Sequence, residues 1–321
     1  MFLMANFTSS SITVFLPAWS ARSLACFTIR IPYSSKYFVS SDMASWATRS
    51  APPFLKILYI AAEGISGINV HYLFKYGIIK FNVLLLYDAH SHQTSVENSV
   101  MVPNMERAGI RAVVCITPDE EAGRLSAMRE KGLTLVFKGL HPSNLKGGLE
   151  IRGEDGIGEI GMDPSYEADM AFQRRIFESQ LEIAERRNEP VSIHSRGATS
   201  LVLSALSSYR LNGVLLHWFD GTESDFEQAV QHGYYIGAGP PLIYNKRIRK
   251  NLKAHQHGLL LLETDAPVFY GPLNVTSSQL LIASVYFAAA NSLKLDFNDF
   301  ADDEARAFLG YIGSKQGQIR Q

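Results

Sequence analysis

From residue 81 onward, short apolar runs alternate with longer stretches whose apolar residues recur at helical spacing. The runs are Val83–Tyr87, Ala112–Ile116, Leu133–Phe137, Ile157–Ile160, Val191–Ile193, Val214–Leu216, Tyr234–Ile236 and Leu259–Leu262. Apolar runs separated by helical segments are the mark of repeated βα units on a parallel sheet. Eight of them in residues 81–321 predict a (β/α)8 TIM barrel, a fold that takes about 250 residues. Between residues 168 and 188, Met170, Phe177, Leu181 and Ala184 share a helical face, while Glu178, Glu182, Glu185 and Arg186 turn away. Thr222-Glu223-Ser224-Asp225 reads as a capping box opening a helix through Phe226, Ala229 and Val230, with Gly233 to close it. Further helices are predicted over 277–292 and 299–309, and one opening at Lys246 after the seventh strand. The stretch after Leu140 is short, which predicts a stunted third helix.

Residues 1–80 lack this order. They are Ser-rich, show no sustained period and offer no clear helix caps. Glu63 and His71 interrupt their best apolar stretch, residues 57–74, so no membrane span is predicted. They hold seven basic residues against two acidic ones, leaving the remainder at −6, and such a break marks a boundary. The extension reads as an organellar transit peptide, as an accessory segment, or as the result of a start site set too early, the true start lying near Val83. The last is favoured because the first barrel strand follows with almost no linker. The expected organisation is therefore an atypical extension, 1–80, and a barrel domain, 81–321.

Composition adds little constraint. A hydrophobic fraction of 46% with 19% charged residues is that of a soluble globular protein. A formal charge of −1 gives no overall attraction for nucleic acid, so any such binding needs a local patch. The two cysteines, Cys26 and Cys115, form no metal or redox motif and suit a reduced, cytoplasmic location, or an organellar one if residues 1–80 are a transit peptide. Nothing in the composition speaks to oligomeric state, and a monomer is the simplest expectation.

The chemistry lies where the strands end, since barrels of this kind place their sites at the C-terminal mouth. The first run leads into Asp88-Ala-His-Ser-His92, and two side chains two apart on a strand share a face, so His90 and His92 can hold one cation. The third leads to His141, the fourth contains Glu159, the fifth ends at His194 and Arg196, the sixth at His217 and the eighth at Asp265. Five of the nine histidines thus fall at one rim, which argues against scatter. Imidazoles and carboxylates suit a borderline divalent cation such as zinc, and a carboxylate between two cations reduces their repulsion. The set fits metal-assisted hydrolysis.

The motifs Asp88-Ala-His-Ser-His92, Gly139-Leu-His-Pro142, Gly158-Glu-Ile-Gly-Met-Asp163, Pro190-Val-Ser-Ile-His-Ser-Arg196, His217-Trp-Phe-Asp-Gly221 and Leu262-Glu-Thr-Asp-Ala-Pro267 resemble, in order, the signatures of the TatD family of metal-dependent deoxyribonucleases in the amidohydrolase superfamily. The resemblance covers about residues 84–310. It implies that His90, His92 and Asp265 hold one divalent ion (Zn2+, Mg2+ or Mn2+), that His194 and His217 hold a second, and that Glu159 bridges them. It also implies that Asp265 orients or deprotonates the attacking water, and that the reaction is hydrolysis of phosphodiesters in DNA, often from an end. Three features depart from the family pattern: a short segment from Pro142 to Gly156, a compact loop after Pro267 without the usual arginine, and Asp303-Glu304-Ala305-Arg306-Ala307-Phe308 near the C-terminus. They spare every proposed ligand and bear on substrate shape.

Other residues keep two readings. His141 contacts substrate or shuttles a proton, or else braces its own loop. Asp88, one pleat below His90, is expected to orient a ligand as an acceptor. Arg196 pairs with a substrate phosphate or with an internal acid. Lys246 and Arg247, in a basic run that extends to Lys253, meet phosphates or form a solvated stripe. Trp218, Phe219, Tyr244 and Phe269 stack on bases or pack under loops. A DNA 3′-exonuclease leads the function classes. A hydrolase of a small-molecule amide, lactone or aminoacyl ester on the same scaffold is the alternative, set back because Glu159 stands where many such relatives use a bridging lysine. A non-catalytic binding barrel comes third, since no ligand is lost.

Overall fold

The eight apolar runs all become strands. The computed structural model describes residues 4–8, 11–17, 24–30, 84–117, 125–145 and 154–319. The chain divides into two units between Leu84 and Leu85. In the first, β1 (Met4–Thr8), β2 (Ser11–Pro17) and β3 (Leu24–Arg30) pair antiparallel in that order. No element is predicted there from the sequence; in the β2–β3 ladder Ile12 faces Ile29, Thr13 faces Thr28 and Val14 faces Phe27. The rest of residues 1–80, including the stretch at 57–74, lies outside the described residues.

In the second unit the strands are β4 (Leu86–His92), β5 (Ile110–Ile116), β6 (Thr134–Lys138), β7 (Ile157–Gly161), β8 (Val191–His194), β9 (Val214–Leu216), β10 (Tyr235–Ala238) and β11 (Leu260–Leu262). Parallel ladders join β4 to β6 and β7 to β11 in sequence order. Between β6 and β7 the link is a bridge from Phe137 to Gly156, with Asp155 N donating to Val136 O at 2.7 Å. The last seam, β11 to β4, closes through His92 N to Ala266 O at 2.6 Å and Asp265 N to His90 O at 3.0 Å. The result is a (β/α)8 barrel. Its first strand runs to His92 rather than stopping at Tyr87, because the backbone of both histidines is needed to close that seam.

The outer layer carries α1 (Asn98–Ala108), α2 (Ser126–Glu130), α3 (Met170–Arg187), α4 (Thr199–Leu206), α5 (Glu223–Gln231), α6 (Ile282–Leu293) and α7 (Phe297–Ile312). The predicted capping box is present at the start of α5, with Thr222 and Asp225 bonded reciprocally. After β10 the expected α-helix is replaced by two 3₁₀ segments, Pro240–Ile243 and Ile248–His257, so Lys246 and Arg247 lie in the turn between them. The prolines at 240 and 241 supply no backbone N–H, and the chain turns tightly there. Of the stretch after Leu140, where a stunted third helix is predicted, residues 146–153 lie outside the described residues. Among the described residues no single helix is long and apolar enough to cross a membrane.

The end of α7 plugs the barrel's N-terminal opening. Tyr311 donates to Val191 O at 3.2 Å and meets the rings of Phe137 and Tyr235 at 6.0 and 5.7 Å, so one side chain spans β6, β8 and β10. Phe308 stacks on Tyr87 of β4 at 4.4 Å. With that end filled, the opposite mouth is left for chemistry.

Candidate metal centre

Glu159 stands at the middle of the mouth, and its two oxygens divide the histidines between them. Oε2 lies 3.2 Å from His92 Nε2 and 3.8 Å from His90 Nε2. Oε1 lies 2.6 Å from His217 Nε2, 2.7 Å from His194 Nδ1 and 3.4 Å from His141 Nε2. Asp265 Oδ1 is 3.6 Å from Nε2 of both His90 and His92. Three overlapping groups are close enough to share an ion: His90, His92 and Asp265; His90, Glu159 and His217; His141, Glu159 and His194. The six residues expected to be ligands therefore converge, and His141 joins them.

Local backbone irregularities aim these side chains. Register shifts between Asp88 and Ser91 in β4 and between Ile157 and Ile160 in β7 turn His90 and Glu159 inward, the use to which bulges beside sites are put. Asp265 and Trp218 occupy left-handed backbone at φ 45° and 41°, uncommon for such residues. Gly161, at φ 151°, allows β7 and β8 to approach, since a Cβ there would sit 1.9 Å from the His194 carbonyl oxygen.

Most of the rings are held from behind. His90 Nδ1 pairs with Ser192 Oγ at 2.7 Å, His92 Nδ1 with Cys115 O at 3.2 Å, His194 Nε2 with Asp163 Oδ2 at 2.8 Å and His141 Nδ1 with Ser143 Oγ at 2.6 Å. Asp88 is an acceptor: its buried carboxyl takes the backbone N–H of His90, Thr264 N at 2.9 Å and Thr264 Oγ1 at 2.6 Å, and so also fixes the residue before Asp265 across the barrel seam. Burial raises it to about 8.

Ionisation follows from burial and neighbours. For Glu159, burial alone would raise the carboxyl, but His217 and hydrogen bonds with His141 and His194 carry it well below the usual range, so it is an anion. Burial and the adjacent His217 push His90 well down, keeping a neutral ring available as a ligand. His194 moves the other way: its pairs with Glu159 and Asp163 overcome burial and raise it. Asp163 is held at about 2, since bonds from Ser165 and His194 outweigh its own burial. Asp265 is raised, chiefly by burial.

The mouth opens into a cavity of about 450 Å3, walled by Tyr166, Arg196, Trp218, Asp220 and Val268 besides the cluster. Arg196 pairs with an internal acid and also lines the cavity. Its Nε binds Asp163 at 2.9 Å and its Nη2 binds Ser165 at 2.6 Å, while the side chain lines the cavity 5.8 Å above the Tyr166 ring. Lys246 and Arg247 are exposed and do not line it. Farther along the basic run, Lys250 donates to Gly221 O and Lys253 pairs with Glu223, so these two brace a neighbouring helix start. Phe219 is buried against Phe226 and offers no stacking face, whereas Tyr244 and Phe269 are exposed and Trp218 stacks on Tyr270.

Several residues of the site carry no signal that spacing alone could reveal. Ser192 points inward from β8, between two apolar neighbours. Gln173 and Gln180 are buried on α3, where the first bonds both backbone groups of Asp163 and the second those of Leu140. Glu263 is fully buried, accepts from Trp218 N at 2.6 Å and approaches His217 Nδ1 to 4.0 Å. Its place directly before Thr264-Asp265 was visible, but not its direction.

Comparison with known proteins agrees with this geometry. The family model described as TatD related DNase matches residues 87–279. Human "Deoxyribonuclease TATDN3" is 33% identical over 141 residues, which is 40% of this chain and 52% of that protein. The "3'-5' ssDNA/RNA exonuclease TatD" of Escherichia coli (strain K12) is 36% identical over 117 residues, 35% of this chain and 45% of that one. The crystal structure of YjjV, a TatD homologue from Escherichia coli, shares the fold with a TM-score of 0.63 at 22% identity, covering 72% of this chain and 98% of that one. By matched sequence, barrel and donors at the mouth, this chain belongs to the TatD related DNase family and is a metal-dependent hydrolase acting on ester bonds.

Proposed function

We propose that this enzyme is a deoxyribonuclease that removes nucleotides from the 3′ end of single-stranded DNA. The reading is carried by Glu159, whose two oxygens face two different sets of imidazoles, as a carboxylate shared between two cations should. In this reading His90, His92 and Asp265 would hold one divalent ion and His194 and His217 a second, with Glu159 within reach of both sets, and Zn2+, Mg2+ and Mn2+ as the candidate ions. The donor set fits: His90, bonded through Nδ1 to Ser192 and kept neutral by burial, faces the ionised Glu159 carboxylate, with His194 anchored through Nε2 by Asp163. Two such ions would make water nucleophilic at neutral pH and stabilise charge on phosphate oxygens.

The chain's own residues supply the rest. Asp265, its affinity for a proton raised by burial, orients the attacking water and accepts its proton. His141, fixed by Ser143 at the cavity edge, donates a hydrogen bond to the phosphate or to the departing oxygen. Arg196, anchored through Asp163 and Ser165, presents its guanidinium to a phosphate oxygen. Lys246 and Arg247, outside the cavity, meet phosphates farther along the strand. The name of the Escherichia coli relative supports the substrate class and the polarity.

The test is an assay of 5′-labelled single-stranded DNA in Mg2+, Mn2+ and Zn2+. Stepwise shortening from the 3′ end is expected, abolished by a chelator and by Glu159→Ala while circular dichroism shows the fold intact. Unaltered activity in that variant would end the proposal. Turnover of amides or lactones with inertness to DNA would move the substrate to small molecules.

A further inference from the structure

A second cavity, of about 250 Å3, shares the His92 imidazole with the first as part of its wall. Its floor is apolar: Met101 of α1, Val114 of β5, Leu125 just ahead of α2, and Met128 within it, all buried. Its upper wall carries the amides of Gln93, Asn98 and Gln279 and the carboxylate of Glu97. Among the described residues lining it there is no lysine or arginine. Gln279 ties this wall to the metal strand, donating from Nε2 to His92 O at 3.0 Å and to Ser91 Oγ at 3.1 Å.

The chemistry of the two cavities differs. The first has Arg196 and the donors for cations, which suit a phosphodiester. Among its described lining residues the second has no cation and one carboxylate, so an anion gains nothing from them. Two thioethers and two branched side chains make a soft apolar surface against which a flat aromatic ring packs well. Amides and a carboxylate along the upper wall can bond the polar edge of such a ring. A neutral, flat, hydrogen-bonding group one sugar away from a phosphate is a nucleobase.

We propose that this second cavity receives the base of the terminal nucleotide while its phosphodiester lies in the first. The inference rests on the phosphodiesterase reading above. It gives that reading a physical basis for preferring single strands, because a base enters a pocket only after leaving its stack and its pair.

The test compares two single-stranded oligonucleotides that differ only in the terminal nucleotide, one carrying thymine and the other an abasic tetrahydrofuran sugar. The wild-type protein is expected to favour the thymine terminus by about tenfold or more in kcat/KM, the scale of one buried base contact. In Met128→Trp, which fills the cavity, that ratio is expected to fall to near one. Leu125→Trp provides the same reading should the first variant fail to fold. Equal turnover of both oligonucleotides by the wild type overturns the base pocket and leaves the phosphodiesterase reading standing. A folded filling variant that keeps the full ratio overturns the assignment to this cavity. Cleavage of neither oligonucleotide under any divalent ion overturns both.

Discussion

At the scale of single residues, the direction of most imidazoles at the mouth is decided by what holds the outer nitrogen. Ser192, the Cys115 carbonyl, Asp163 and Ser143 each take one nitrogen of a ring and so leave the other for the cluster. His217 is the exception: its Nδ1 is buried without a hydrogen bond, and Glu263 stands 4.0 Å away. Ser192→Ala removes the nearer partner of His90 Nδ1, which also meets Cys115 Sγ at 3.6 Å, and changes little volume. It is expected to weaken divalent-metal affinity by about 10- to 100-fold, measured by titration calorimetry with the melting temperature as a control. Unchanged affinity would mean that packing and the Cys115 contact suffice to orient His90. The pair His90 and His92 was legible from its spacing, because alternation along a strand puts the two on one face. Ser192 was not, since a small polar residue in an apolar strand has no signal until its neighbour across the ladder is known.

At the scale of elements, the caps and the buried polar faces separate what local pattern reveals from what packing demands. Thr222 and Asp225 bond each other's backbone at the start of α5, an arrangement written entirely in four adjacent residues. Thr222→Ala is expected to destabilise the protein by about 1 kcal/mol, read from urea unfolding. A loss indistinguishable from zero would show that the adjoining contacts of Asp225 with Ser200 suffice. Helix α3 teaches the opposite lesson. Phe177, Leu181 and Ala184 are buried as the apolar spacing predicts, and so are Gln173 and Gln180, polar residues four before and three after Phe177 on the same face. Their amides serve the loops after β6 and β7, which carry His141 and Asp163, and a buried loop backbone must find such partners. The segment after β10 shows the limit of pattern again: a basic stretch with helical spacing forms 3₁₀ turns, and its later lysines are drawn to Gly221 and Glu223.

For the whole molecule, closure of the barrel and assembly of the site are one event. The seam between β11 and β4 is bonded through the backbone of His90, His92 and Asp265, and Asp88 ties Thr264 across it. Helix α7 covers the same seam lower down, where Leu262 N donates to the buried carboxyl of Glu304. Burial raises that carboxyl well above the ordinary range. The folded protein therefore keeps a proton that the unfolded chain releases near pH 4.3, so this stabilising contribution is whole below that pH and is lost as pH rises toward the folded value. Glu304→Gln keeps the neutral shape and the acceptor. Its melting temperature is expected to exceed that of the wild type at pH 8, with the gap closing toward pH 4 to 5 in a series of thermal melts; a wild type more stable at pH 8 would refute this. The sequence by itself determined the eight strands, the barrel and the rim at which histidines and acids gather, because hydrophobic period and strand-end position are local properties. Only the tertiary structure decided how Glu159 divides its oxygens, that Asp88 serves Thr264 and which cations reach the cavity, because those depend on distances between strands far apart in the chain.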